Sequence, residues 1–167
     1  MLILGIDPGL QKTGWGIVES CGNSLRFRGC GLIKPPKDGS LAGRLAYLHK
    51  SMIAVLDTHR PDCAAVEETF VNMNALSALR LGQARGVLLA VPALQGLEVA
   101  EYPANKVKKS VVGAGHASKD QVQHMVKRLL PACGPIGPDE ADALAVAICH
   151  AHYGQWNKMT TQGLAQL

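Results

Sequence analysis

The sequence predicts an α/β domain: a mixed five-stranded sheet, three strands antiparallel and then two parallel, flanked by helices on both faces. Three observations predict it. Leu2 to Ile6 and Cys63 to Val66 are unbroken apolar runs, the pattern of strands buried on both faces. Two partly alternating segments follow the first run at once, with Gly22-Asn23 between them as turn chemistry. The other segments repeat apolar residues at helical spacing, between strands and after them.

The first run ends at Asp7-Pro8-Gly9, a turn. Thr13 to Glu19 and Leu25 to Ile33 are then its antiparallel hairpin partners. Leu41, Leu45, Leu48, Met52 and Val55 follow Ser40, an N-cap residue, and Pro61 closes the helical pattern. Cys63 to Val66 forms a second buried strand stopped by Glu67-Glu68. Asn74 to Leu94 is helical, and Ala78, Gly82, Gly86 and Ala90 make an i+4 ridge of small residues that another helix can approach closely. That helix belongs either to a second copy of the chain or to the chain itself. A short strand over 97–102 leads to two helices, 103–111 and 118–130, around Gly113-Ala114-Gly115. A last helix opens with Pro138 at its first position and runs to about His152. No periodicity follows Gly154, so one domain over 1–153 and a poorly ordered tail over 154–167 are expected.

At 167 residues one domain is the natural reading. With 47% hydrophobic and 18% charged residues the chain is too apolar for disorder. The net charge is +4, and it is concentrated. Residues 102–138 hold Lys106, Lys108, Lys109, Lys119, Lys127 and Arg128 against Asp120 alone, a local +5 that leaves −1 for the rest. Such a segment suits an anionic partner. Five cysteines, an odd number with no CxxC spacing, argue against a disulfide framework and a zinc knuckle and favour a reducing cytoplasm. The first residues lack a basic stretch, and the longest later apolar stretch, Gly86 to Leu94, is nine residues with Pro92 inside. Neither a signal peptide nor a membrane span is expected.

Three elements each deliver acid. Asp7 and Glu67 end the two buried strands, and Asp139 and Asp142, i and i+3, share a face of the last helix. Ligands bind beyond the carboxyl ends of central strands in sheets of this kind. Clustered carboxylates repel one another unless a cation neutralises them, and an all-oxygen set suits Mg2+ or Mn2+ better than zinc. Singly, each acid has a plainer explanation, as a turn residue or as a complement to a helix N-terminus. Asp142 resists that explanation because it lies among Ala141, Ala143 and Leu144 on a helix apolar nearly all round. Glu68 and Glu140 are expected to point elsewhere. Lys108 and Lys119 flank the glycine loop as phosphate contacts, although the loop lacks P-loop spacing. His150 and His152 cannot face one ligand together. Phe70 is either a stacking aromatic or a core anchor.

These residues and their order carry a resemblance. Leu4-Gly5-Ile6-Asp7-Pro8-Gly9 with Thr13-Gly14-Trp15-Gly16, then Glu67, then Ser77 to Gly86, Val111-Val112-Gly113, Gln121 to Val126 and the closing Asp139-Glu-Ala-Asp142-Ala-Leu-Ala resemble the RuvC family of bacterial Holliday-junction resolvases over residues 1 to about 153. The resemblance implies an RNase H-like fold and a homodimer. It implies cleavage of two like-polarity strands of a four-way DNA junction, dependent on one or two Mg2+ ions with Mn2+ able to substitute, and partnership with RuvA and RuvB. The family's four catalytic, metal-holding acids fall on Asp7, Glu67, Asp139 and Asp142; some relatives carry His in place of Asp139. Its DNA-contacting lysines fall on Lys108 and Lys119, its junction-stacking aromatic on Phe70, and its dimer helix on the small-residue ridge. An ATP-binding fold of the actin or sugar-kinase type also begins with a strand ending in Asp-x-Gly, but two such lobes of ~120 residues or more exceed this length. A junction-binding module that has lost its chemistry is the other alternative, and the intact set of acids opposes it.

Overall fold

Strands β1 (Leu2–Asp7), β2 (Thr13–Cys21), β3 (Ser24–Ile33), β4 (Cys63–Glu68) and β5 (Glu98–Pro103) form one sheet in the order β3-β2-β1-β4-β5. The computed structural model describes residues 1–68 and 74–164, with side chains through residue 154. β3, β2 and β1 pair antiparallel, and β1, β4 and β5 pair parallel. Helices α1 (Leu41–His59) and α2 (Ala75–Leu94) cover one face, and α3 (Ala104–Val112), α4 (Lys119–Leu129) and α5 (Pro138–Leu164) the other.

Alternation along the strands builds two cores. Leu4, Ile6, Ala64 and Val66 pack with Leu48, Met52, Ala84 and Leu88 of α1 and α2. Ile3, Cys63, Ala65 and Tyr102 pack with Val107, Val122, Val126 and Leu144 of the other layer. Asp7 and Glu67 continue the Ile3 and Cys63 parity and therefore aim at the α5 face. From Ala143 to Cys149 α5 is buried throughout, because it lies between the sheet and α3 with α4. Its close seat depends on missing side chains: a Cβ at Gly5 would lie 2.1 Å from the Ala143 backbone oxygen, and one at Gly14 would lie 2.2 Å from that of Asp139.

The helix starts follow local chemistry. The Ser40 and Asn74 side chains accept the backbone N–H groups of Gly43 and Ser77, and Ser118 with Gln121 closes a capping box at α4. Several boundaries differ from expectation. Glu67 and Glu68 do not stop β4 but belong to it, held by pairing with Tyr102 and Pro103 of β5. A short 3-10 turn, Pro131–Cys133, was not legible in the pattern. α5 continues past His152 to Leu164, since a helix already nucleated gains one hydrogen bond per added residue and needs no apolar repeat to propagate. The expectation of a poorly ordered tail over 154–167 falls on side chains, and on residues 165–167, that lie outside the described residues. Among the described residues nothing packs on the ridge of α2 at its two glycines: a Cβ at Gly82 or Gly86 would meet nothing within 4 Å, because the opposite side of the helix, Ala84, Leu88 and Val91, takes the sheet. Among the described helices none is long and apolar enough to cross a membrane.

Candidate active site

The parallel pairing of β1 with β4 matches Ile6 to Val66, so the next residues along, Asp7 and Glu67, end side by side on the α5 face. Asp7 also pairs with Gly14 of β2, and Gly14 is where the backbone of Asp139 presses on the sheet. The bare α-carbon of Gly14 thus brings the first turn of α5 against the end of β1. One helical turn places Asp142 beside Asp139 and over the same strand ends.

The electrostatics record that convergence. Burial, then repulsion from Glu67 and Asp142, pushes the Asp7 carboxyl up to about 8. Burial, then Asp142, pushes Glu67 up to about 7, against the opposing pull of Lys108 and Lys119. Asp142 is also raised, chiefly by burial, although Lys119 works against this. Two ammonium groups border the acids: Lys119 Nζ lies 3.5 Å from Asp142 Oδ2 and Lys12 Nζ 3.9 Å from Asp139 Oδ2. Asp142 in turn holds the Lys119 ammonium above its ordinary range.

Among the described residues no three acidic, histidine or cysteine side chains close up to coordinating distance of one point. The set nevertheless fits a hard divalent cation in its chemistry: four carboxylates, no nitrogen or sulfur donor, too much negative charge for its burial, and two lysine ammonium groups standing beside the outer pair. Two lysines compensate two of the four acids. The other two keep a demand for positive charge.

The structure brings Asp7, Glu67, Asp139, Asp142, Lys108 and Lys119 to one place. Lys108 is half-buried toward the acids while Lys109, its neighbour, is exposed. Phe70 lies outside the described residues. Glu68 takes the opposite strand parity from Glu67, and Glu140 lies beside Cys30, away from the cluster. His150 is buried and meets Tyr102 at 3.0 Å between Nδ1 and the phenol oxygen, a structural pairing of helix with sheet. Lys12 and Arg85 were not singled out by the sequence. Lys12 sits in the turn after Asp7, which was a signal. Arg85 donates from Nε to the Glu67 carbonyl at 3.3 Å and pairs with Glu101, contacts that no local pattern announces.

A profile of the family described as "Crossover junction endodeoxyribonuclease RuvC" matches residues 3–150. A protein of that description from Rhodopseudomonas palustris is 59% identical over 151 residues, 90% of this chain and 87% of the relative. One from Paramagnetospirillum magneticum is 59% identical over 153 residues, 92% of each chain. Among solved structures, Thermus thermophilus RuvC in complex with Holliday junction substrate superimposes with a TM-score of 0.87 at 33% identity, over 94% of this chain and 96% of that one.

Proposed function

The chain belongs to the RuvC family of crossover junction endodeoxyribonucleases, and from that premise we propose how its residues act. It is a structure-specific DNA endonuclease that resolves Holliday junctions. The observation that carries the mechanism is the four-acid cluster, with Asp7 pushed up to about 8 and Glu67 up to about 7 by burial and mutual repulsion. Carboxylates held so unfavourably are poised to take up positive charge.

Asp7, Glu67, Asp139 and Asp142 would hold Mg2+, one or two ions, with Mn2+ as a substitute. When bound, the cation supplies positive charge at the scissile phosphodiester and acidifies the attacking water. Asp7 and Glu67, fixed on paired strands, set the position of that charge. Asp139 and Asp142, on the first two turns of α5, complete the donor set. Lys119 exchanges its carboxylate partner for a DNA phosphate, and Lys108 takes another. Phe70 stacks at the crossover.

A two-fold junction cut in two strands is matched by a homodimer whose protomers each bring one acid cluster. The bare ridge of α2, flanked by Leu79 at 60% exposure, supports that helix as the contact. RuvA and RuvB are the partners we assign from the family. Five free cysteines fit a reducing compartment, and we place the protein in the cytoplasm.

Asp7→Asn, Glu67→Gln and Asp142→Asn test this reading against a junction-binding module without chemistry. Each variant is expected to lose cleavage by more than a hundredfold yet to retain junction binding, measured by nicking and gel shift on the same preparations. Near wild-type cutting by any one removes that residue from the metal site.

A further inference from the structure

On the opposite face of the sheet from α3 and α4, the turn between β1 and β2 and the first turns of α1 and α2 enclose a hollow of ≈ 210 Å³. Its polar wall is Gln11, Arg44, Ser77 and Arg80, with no carboxylate. Arg44 Nη2 donates to the Leu10 carbonyl at 2.9 Å, while Arg44 Nε is buried with no hydrogen-bond partner among the described residues. Arg28 and Arg85 are paired with Glu19 and Glu101, but neither Arg44 nor Arg80 has a carboxylate partner among the described residues. Leu10 follows Asp7 by three positions, so the hollow opens where the turn leaves the acid cluster.

Two permanently charged guanidinium groups lining one hollow with a hydroxyl and an amide form a donor-rich cleft that selects a phosphate oxyanion. The Arg44 guanidinium meets only one carbonyl acceptor and no carboxylate among the described residues, so its positive charge is left uncompensated and an anion in the hollow offsets it. We propose that Arg44 and Arg80 bind a backbone phosphate of the junction DNA, on the far side of the acids from Lys108 and Lys119. This rests on the acids being the nuclease centre: a strand laid across the ends of β1 and β4 is then gripped on both sides of the point where it is cut.

The test is the salt dependence of junction binding by the full-length protein in EDTA, read by fluorescence anisotropy with no cleavage involved. Arg80 is exposed, so Arg80→Gln leaves the fold intact, with circular dichroism as the check. It is expected to reduce the magnitude of the slope of log affinity against log salt by about 0.9, and Arg44→Gln/Arg80→Gln by about twice that. Lys119→Ala is run beside them. If Lys119→Ala lowers the slope and folded Arg80→Gln does not, the arginine site is overturned and the nuclease reading stands; unchanged slopes in both overturn the arginine site and return Lys119 to solvent. Titration of the wild-type protein and Arg80→Gln with inorganic phosphate separates the two sources of phosphate. Loss of inorganic phosphate binding with an unaltered DNA slope assigns the hollow to a free anion and overturns the proposal.

Discussion

Arg85 reaches from α2 to the end of β4, where its Nε donates to the backbone carbonyl of Glu67 at 3.3 Å. The other edge of the guanidinium pairs with Glu101 of β5. One face of α2 therefore holds the strand that carries Glu67 of the acid cluster, while its outer face carries the bare ridge. Position of the acid and placement of the helix are mechanically joined.

Arg85 is thereby a positioning residue. Arg85→Ala is expected to lower the single-turnover cleavage rate by roughly tenfold, the equivalent of one hydrogen bond to a charged group of ~1.5 kcal/mol. Junction affinity is expected to stay near wild type, and Arg85→Lys to recover only part of the rate because it cannot span both partners. Equal loss of affinity and rate would show a DNA contact instead.

The raised carboxyls make metal-free stability depend on pH. Asp7 moves from 3.8 to about 8 and Glu67 from 4.5 to about 7, so between those values the folded protein binds more protons than the unfolded chain. Stability then falls as pH rises from about 4 to about 8. Melting in EDTA is expected to be several degrees lower at pH 8.5 than at pH 5, and Mn2+ to restore more of it at the higher pH. Asp7→Asn flattens the profile. A metal-free melting temperature that climbs through this window would contradict the assigned burial of the cluster.

Lys108→Ala and Lys119→Ala are each expected to weaken binding to junctions of any sequence and to reduce the salt slope by about 0.9, one phosphate apiece. Because Lys119 also neutralises Asp142 at 3.5 Å, its loss is further expected to raise the demand of the acid cluster for divalent metal. Slopes equal to wild type return both lysines to solvent.

Gly82→Leu examines the dimer. With nothing within 4 Å of a Cβ at this position, the variant is expected to fold, gaining ~0.8 kcal/mol of helix propensity over glycine. A leucine on the ridge blocks close approach of a second copy, so sedimentation is expected to show folded monomers that cut junctions poorly. A fully active dimer from this variant would move the subunit contact off the ridge.

What the sequence by itself determined is everything encoded over a few adjacent residues. The apolar run before Asp7, the Gly22-Asn23 turn, the Ser40 cap and the closing box of Ser118 with Gln121 each settle their own backbone, because the groups that satisfy one another are neighbours along the chain. The two apolar runs set Asp7 and Glu67 at strand ends, where they meet if the strands are neighbours; the β1–β4 register of the folded sheet then put them on one face. What only the tertiary structure decided is which distant groups meet. Gly14 lets Asp139 lie on the sheet, Lys12 reaches Asp139, Arg85 finds the Glu67 carbonyl and Arg44 the Leu10 carbonyl. The ridge of α2 is equally well formed for an inner or an outer contact, and its outward turn depends on Ala84 and Leu88 winning the sheet. Such pairings depend on helix placement over tens of residues, where burial of the whole apolar surface outweighs any single contact, and a local pattern carries no record of that competition.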